Sequence, residues 1–401
     1  MITLRTTPTP PDTEPLRIAM LAPPWISIPA AGYGGIETVI DQLCTQLVAD
    51  GHEVTLFAAP GSTSSATVCS VLAAAHPHAI GQTLYEADHV ASVMDELDLA
   101  AAGGIPFDLV HDHSGFAALA IADRLDTPMV HTLHGPFTDD TAAFYRRHGH
   151  KATLVAISRA QARAAPSGVS VAAVVSNPIA VRDWPLVRAK RPYLLWLGRM
   201  DRTKGPHRAI VAARIARCPL VLAGPVQRGQ ERFFAEEIDP HVDGGRVRYV
   251  GEVGGSFKER LLAEASALLM PIRWEEPFGM VMIEALACGT PVIAFREGAA
   301  CDIVLDGTNG FLVDDEQHMA RAVGAVGSLD PAACRSSVRE RYDVRVVAAD
   351  YAQVYRTVRD RRRADHEPLA RSRGAGRPAR WTTGKYATKG ATDAHGLRSP
   401  R

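Results

Sequence analysis

The chain has 401 residues, 46% of them apolar and 22% charged, with 44 Lys/Arg against 44 Asp/Glu, which is enough for two ordinary cores and lacks the basic excess of a nucleic-acid-binding domain. Residues 361–401 hold eleven of the basic residues and three of the acidic ones, so the body is mildly acidic and the end basic. The six cysteines, at 44, 69, 218, 288, 301 and 334, form no C-x-x-C pair and have mostly apolar neighbours, which argues against a disulfide framework or a cysteine metal site and predicts reduced thiols in a cytoplasmic protein.

The opening "MITLRTTPTPPDTEP" is polar and proline-rich, and residues 1–15 read as a flexible N-terminus. The apolar run after it is short and interrupted by Pro23 and Pro24, which fits neither a secretory signal nor a membrane span. Next come a strand, "LRIAMLAPP", a loop and amphipathic helix, "GYGGIETVIDQLCTQL", and a second strand, "HEVTLFAAP". This is a βαβ opening. Gly32, Gly34 and Gly35 directly before a helix would let an anion, a phosphate first, approach backbone N–H groups at the helix N-terminus; a tight turn without ligand explains them equally well. The dinucleotide fingerprint G-x-G-x-x-G fails, because Glu37 stands at its third glycine.

Apolar runs continue through "FDLVHDHS", "PMVHTLHG", "ATLVAIS" and "VAAVVSNPI", with helical stretches such as "GFAALAIADRL" and "SRAQARAA" between several of them. The proline-punctuated "AVRDWPLVRAKRP" then places a domain boundary near 180–191. A second series follows: "YLLWLGRM", "CPLVLAGPV", "RVRYVGEV", "SALLMPI", "PVIAF" and "GFLVDD". The expected organisation is two doubly wound, Rossmann-like α/β domains, 16–185 and 186–344, facing across a cleft, since such sheets bind ligands at the carboxyl ends of their strands. Residues 345–360 should form a closing helix with Val346, Val347, Tyr351, Val354 and Tyr355 on one face, its aromatic pair serving the core. The basic segment 361–401 lacks any apolar period and reads as disordered.

Two more stretches carry chemistry. In "LGRMDRTKG", Arg199 and Lys204 leave a strand and precede a helix; they suit a diphosphate, whose charge grows as an ester departs, although a solvated basic loop is the bland alternative. In "RWEEPFGMVMIEALACGTPVIAF", Glu276 and Glu284 stand eight residues apart, with Phe278 and Gly279 where a helix should begin and Gly289 near its end. Two helical turns separate such carboxylates by about 12 Å. That is too far for two groups acting on one atom, and suits the two ends of an elongated ligand.

Together and in this order, the glycine loop, "GRMDRTKG" and the E-x7-E stretch "EPFGMVMIE" resemble the retaining glycosyltransferases of family 4, which have the GT-B fold, over roughly residues 16–360. The resemblance implies a hexosyl transfer from a nucleoside-diphosphate sugar, UDP-sugar favoured over GDP-sugar, to a hydroxyl of a small-molecule or saccharide acceptor. "GYGGIE", "VHDHSG" and "GEVGG" resemble bacterial members acting on natural products. It further implies that Gly34 and Gly35 bring N–H groups to the diphosphate, that Arg199 and Lys204 bind the same phosphates, and that Glu284 accepts the ribose hydroxyls. Glu276, with the backbone around Phe278, Gly279 and Met280, would hold the donor sugar, and His134 would lie near it; His113 and Asp112 are second choices on the acceptor side. No cofactor is implied, and the donor region has no Asp-x-Asp metal motif. A pyridoxal-dependent phosphorylase, a nucleotide-cofactor oxidoreductase and a non-catalytic sugar-nucleotide-binding protein are the rivals.

Overall fold

Runs rich in Val, Leu and Ala, too continuous to alternate, form strands buried on both faces, and amphipathic segments between them cover the sheets. The computed structural model describes residues 14–30, 32 and 34–366. In the first half these are β1 (Arg17–Leu21), α1 (Gly35–Ala49), β2 (Glu53–Phe57), β3 (Thr67–Cys69), α2 (Thr83–Ala102), β4 (Leu109–Asp112), α3 (Phe116–Ile121), β5 (Met129–Leu133), α4 (Asp139–His148), β6 (Thr153–Ala156), α5 (Arg159–Arg163) and β7 (Ala173–Val174). They build a parallel sheet in the order β3-β2-β1-β4-β5-β6-β7. The second half comprises β8 (Arg191–Leu197), α6 (Pro206–Ala216), β9 (Leu220–Ala223), α7 (Glu231–Glu237), β10 (Val247–Tyr249), α8 (Gly255–Glu264), β11 (Ala265–Met270), α9 (Met280–Ala287), β12 (Val292–Phe295), α10 (Ala300–Ile303), β13 (Gly310–Val313), α11 (Glu316–Val323) and α12 (Pro331–Arg339). Its parallel sheet runs β10-β9-β8-β11-β12-β13.

Both sheets reverse their winding direction beside the first strand, between β1 and β4 and between β8 and β11. Loops leaving these strands diverge there and open a crevice at the carboxyl edge. The glycine loop follows β1, "HDHSG" ends β4, "GRMDRTKG" leaves β8, and "PIRWEEPFG" leaves β11. Topology therefore gathers every chemistry-bearing motif on the same edges.

The closing helix is longer than the 345–360 expected. It is α13, Val344–His366, and it returns to the first half. Val347, Ala348, Tyr351, Val354, Tyr355 and Val358 recur at helical spacing and are buried with Ile40, Leu43, Cys44 and Leu47 of α1 and Val130 of β5. The basic segment expected to be disordered from residue 361 is helical through His366. There Arg363 pairs with Asp108 at 3.4 Å, and Arg362 donates to the Asp126 carbonyl at 3.1 Å. Residues 367–401, like 1–13, lie outside the described residues.

The two passages between the halves run side by side. Ile179 N–H donates to the Tyr342 carbonyl at 2.8 Å, and Val344 N–H to the Ile179 carbonyl at 3.0 Å, forming a parallel bridge of Ile179 with Asp343. Among the elements without a distinct sequence signal are β3, a three-residue edge strand, and α2, whose buried positions His89, Val90, Val93 and Leu97 are diluted by acidic residues.

Candidate active site

The glycine loop shows two different reasons for glycine. A Cβ on Gly34 would lie 2.4 Å from Ala30 Cβ, a contact no packing tolerates, whereas a Cβ on Gly35 would meet nothing within 4 Å. Gly34 is thus required by the fold, and Gly35 leaves open space at the N-terminus of α1, where unpaired N–H groups favour an anion. Across the crevice, a Cβ on Gly32 would stand 3.4 Å from Glu252 Oε1 of the second half. Glu37, in the first turn of α1, is buried, and desolvation raises its carboxyl above the usual range.

On the second half, Gly205 (φ 76°) lies so close to the end of β11 that a Cβ would fall 2.3 Å from the Pro271 carbonyl oxygen. Only glycine permits this approach. The preceding Lys204 consequently reaches Glu276 in an ion pair, with its Nζ 4.7 Å from the centre of the Trp274 ring. Arg199 donates instead to Gln227 Oε1 at 3.1 Å. The two cations share Asp201 as a neighbour: its burial alone would raise its carboxyl, but hydrogen bonds from Thr203 and the Arg199 and Lys204 charges hold it below the usual range.

Helix α9 starts at Met280, so Glu276 belongs to the loop before it, and the two-turn helical spacer expected between the carboxylates is corrected to one turn plus a loop. The loop is fixed by Ala299 N–H donating to the Glu276 carbonyl at 2.9 Å and by Phe278, buried edge-on against Tyr342. Gly279 caps the helix, and Met280 is half-buried in its first turn. Glu284 is buried on α9 and accepts from Lys258 Nζ of α8 at 2.7 Å. Each carboxylate therefore has its own lysine, supplied by a different element.

The histidines at the ends of β4 and β5 form a connected group. His134 Nε2 lies 2.8 Å from His113 Nδ1, His113 Nε2 lies 3.3 Å from His111 Nδ1, and the same His111 atom lies 2.6 Å from Tyr355 OH of α13. His111 Nε2 reaches Thr132 Oγ1 at 2.8 Å, which meets Tyr351 OH at 2.9 Å. Burial, then the neighbouring His131, pushes the His134 imidazole down to about 3, and burial first, with their neighbouring histidines, carries His111 and His113 in the same direction. All three rings are neutral at pH 7. Asp112 takes both the N–H and the hydroxyl of Ser114 and pairs with His131 at 2.6 Å. Asp112 and His113 are both buried; His113 touches His134 directly, whereas Asp112 is engaged with Ser114 and His131.

Two family models match the chain, one on each half. The family described as Glycosyltransferase Family 4 matches residues 33–183, and Glycosyl transferases group 1 matches 182–329. The chain belongs to the GT-B glycosyltransferases of the family 4 type. A glycogen synthase of Mycobacterium tuberculosis is 28% identical over 89% of this chain and 97% of that protein. Among solved structures, a glycosyltransferase involved in avilamycin A biosynthesis superposes with a TM-score of 0.67 at 25% identity, covering 86% of this chain and 98% of its own. HepE from Anabaena, solved with UDP, superposes at 0.64 and 20% identity over 85% of this chain and all of its own. Among the described residues, no helix of the glycosyltransferase is long and apolar enough to cross a membrane.

Several residues of the candidate site carried no sequence signal. Lys258 looks like any surface helix lysine until it meets Glu284. Trp274 was legible only as a residue beside the E-x7-E stretch, yet it packs against Lys204. Gln161 of α5 donates to the carbonyls of Leu133 and Gly135 at 3.0 and 2.9 Å, bracketing His134 from 26–28 residues away. Each depends on a contact between elements distant in sequence, which no local spacing encodes.

Proposed function

We propose that this glycosyltransferase moves a hexosyl group from a nucleoside-diphosphate sugar, UDP-sugar favoured over GDP-sugar, to a hydroxyl of a small-molecule or saccharide acceptor with retention at the anomeric carbon. The observation that carries the reading is the pair of lysine-held carboxylates, Lys204–Glu276 and Lys258–Glu284, flanking the start of α9. The UDP complex of HepE, a relative in fold, supports the choice of donor.

In this scheme the diphosphate lies between the N-terminus of α1 and the Arg199 and Lys204 cations, which oppose the charge that accumulates as the sugar–phosphate bond breaks. Lys204 exchanges part of its contact with Glu276 for phosphate, freeing Glu276 to accept hydroxyls of the sugar, with the Phe278–Met280 backbone beside it. Glu284 accepts the ribose hydroxyls. Because lysines hold both carboxylates, they bind rather than attack, and retention follows a same-face route in which the departing phosphate oxygen takes the acceptor proton. The neutral His134 offers the sugar a hydrogen-bonding ring rather than an acid. Positioning and charge stabilisation account for the rate.

The test compares three variants by calorimetry with UDP and by turnover of UDP-sugar, with product anomers read by NMR. Lys204→Ala should lower kcat by more than it weakens UDP binding, about 100-fold if one preorganised donor is lost. Glu284→Ala should raise the UDP Kd and donor KM together, and Glu276→Ala should lose turnover while binding UDP as wild type does. Normal turnover in Glu276→Ala, or an inverted product, would overturn the scheme.

A further inference from the structure

We propose that His113, His111 and Tyr355 are positioning residues that fix the tautomer of His134, so that its ring carries hydrogen on Nε2 and presents a bare Nδ1 to the bound sugar. The inference deepens the reading above and rests on His134 lying beside the transferred sugar.

The chain of contacts has one favoured direction. Tyr355 OH and His111 Nδ1 are 2.6 Å apart, the separation of an O–H donor on a nitrogen acceptor. Between a phenol, whose pKa is about 10, and a neutral imidazole, the phenol is the better donor and the bare ring nitrogen the better acceptor. Tyr355 therefore donates, and His111 Nδ1 is bare. The hydrogen of neutral His111 then sits on Nε2 and is donated to Thr132 Oγ1 at 2.8 Å.

A bare His111 Nδ1 next imposes its requirement on His113. His113 Nε2 lies 3.3 Å from that atom and makes a favourable contact only if it carries hydrogen, because two bare nitrogens repel. Neutral His113 accordingly has a bare Nδ1, which faces His134 Nε2 at 2.8 Å. His134 must donate there. Its remaining nitrogen, Nδ1, has no partner among the described residues and is not among their fully buried, unsatisfied atoms, so it is available to accept a sugar hydroxyl hydrogen.

Burial keeps the arrangement from relaxing by protonation: Tyr355 and His111 are fully buried and His113 is 3% exposed. A second branch anchors it. Tyr351 OH meets Thr132 Oγ1 at 2.9 Å, and Tyr351 stacks on Tyr355 with ring centres 5.8 Å apart. The Asp112–His131–Tyr145 group is separate, using His131 Nδ1 toward Asp112 and Nε2 toward Tyr145 OH at 3.3 Å. Both tyrosine hydroxyls of the relay come from α13, which enters the first half from the second.

The experiment is long-range 1H–15N NMR of the full-length enzyme labelled with 15N-histidine, in which a bare ring nitrogen is resolved from a protonated one, combined with steady-state kinetics on UDP-glucose. Wild type should show His134 and His113 hydrogenated on Nε2. His113→Asn places a carbonyl oxygen near the lost Nδ1, so it should keep the His134 tautomer and most of kcat. His113→Leu should leave a tautomer mixture and lower kcat about tenfold, the worth of one hydrogen bond, with donor KM unchanged. Tyr355→Phe removes one hydroxyl while keeping the ring, and should redistribute the tautomers of His111, His113 and His134 together. Hydrogen on His134 Nδ1 in wild type, or unchanged tautomers in folded Tyr355→Phe, would overturn the relay. The spectra need no substrate: the expected tautomers in a chain that fails to turn over any sugar nucleotide would uphold the relay and refute the donor assignment instead.

Discussion

Acidification should weaken this fold, and His134 should account for a measurable part of the loss. Its imidazole is held at about 3 in the folded chain by burial first and His131 second, against about 6.5 when unfolded. Between those values the unfolded chain takes up a proton that the folded chain refuses, so the stabilisation is complete above about 6.5 and is lost as pH falls toward 3. At pH 5 one such group destabilises by about 2 kcal/mol, an upper value because water reaches the half-buried ring. His111 and His113 act in the same direction. Asp350 acts in the opposite one: burial raises its carboxyl to about 6, so the folded chain gains its proton first. The measurement must therefore be a difference. Urea unfolding at pH 7 and pH 5, on wild type and on His134→Asn, should show an acid loss smaller by about 1–2 kcal/mol in the variant, with the Asp350 contribution cancelling. Equal losses in the two proteins would refute a neutral, desolvated His134.

Gly35→Ala should change unfolding free energy by no more than about 0.5 kcal/mol, since its Cβ meets nothing, yet raise the UDP Kd about tenfold by blocking backbone approach; calorimetry beside thermal melts separates the two. Gly34→Ala should destabilise instead, through its clash with Ala30. Lys258→Met strands the buried Glu284 and should cost about 3 kcal/mol, whereas Arg232→Ala, breaking an exposed pair with Glu236, should cost under about 0.5 kcal/mol; adding Glu284→Gln to Lys258→Met should recover most of the loss in urea titrations. Fixed cations take the diphosphate charge in the proposed scheme, so turnover should persist in EDTA, and loss reversed by manganese would contradict it.

Local sequence specified the parts. Among the described residues, twelve of the thirteen strands follow from apolar runs between turn residues, because β-sheet burial is written in consecutive side chains. The start of α9 at Met280 follows from Phe278–Gly279, and the loop lysine from Gly205 after it. Signals spread over short or mixed segments failed: β3 has three residues, and the apolar stripe of α2 is interrupted by Asp88, Asp95, Glu96 and Asp98.

By itself, then, the sequence determined two parallel α/β layers and the motifs at their carboxyl edges. Backbone periodicity and glycine stereochemistry act over a few residues, so a single chain suffices to read them. The tertiary structure alone decided which groups meet. Lys204 finds Glu276 across 72 residues, Lys258 finds Glu284 across 26, and Tyr355 finds His111 across 244. It likewise sent α13 back onto the first half, where its apolar stripe completes the core with α1 and β5. Such choices are made by packing and by the cost of leaving a buried polar group unpaired. Both are properties of surfaces that exist only once the two sheets have formed.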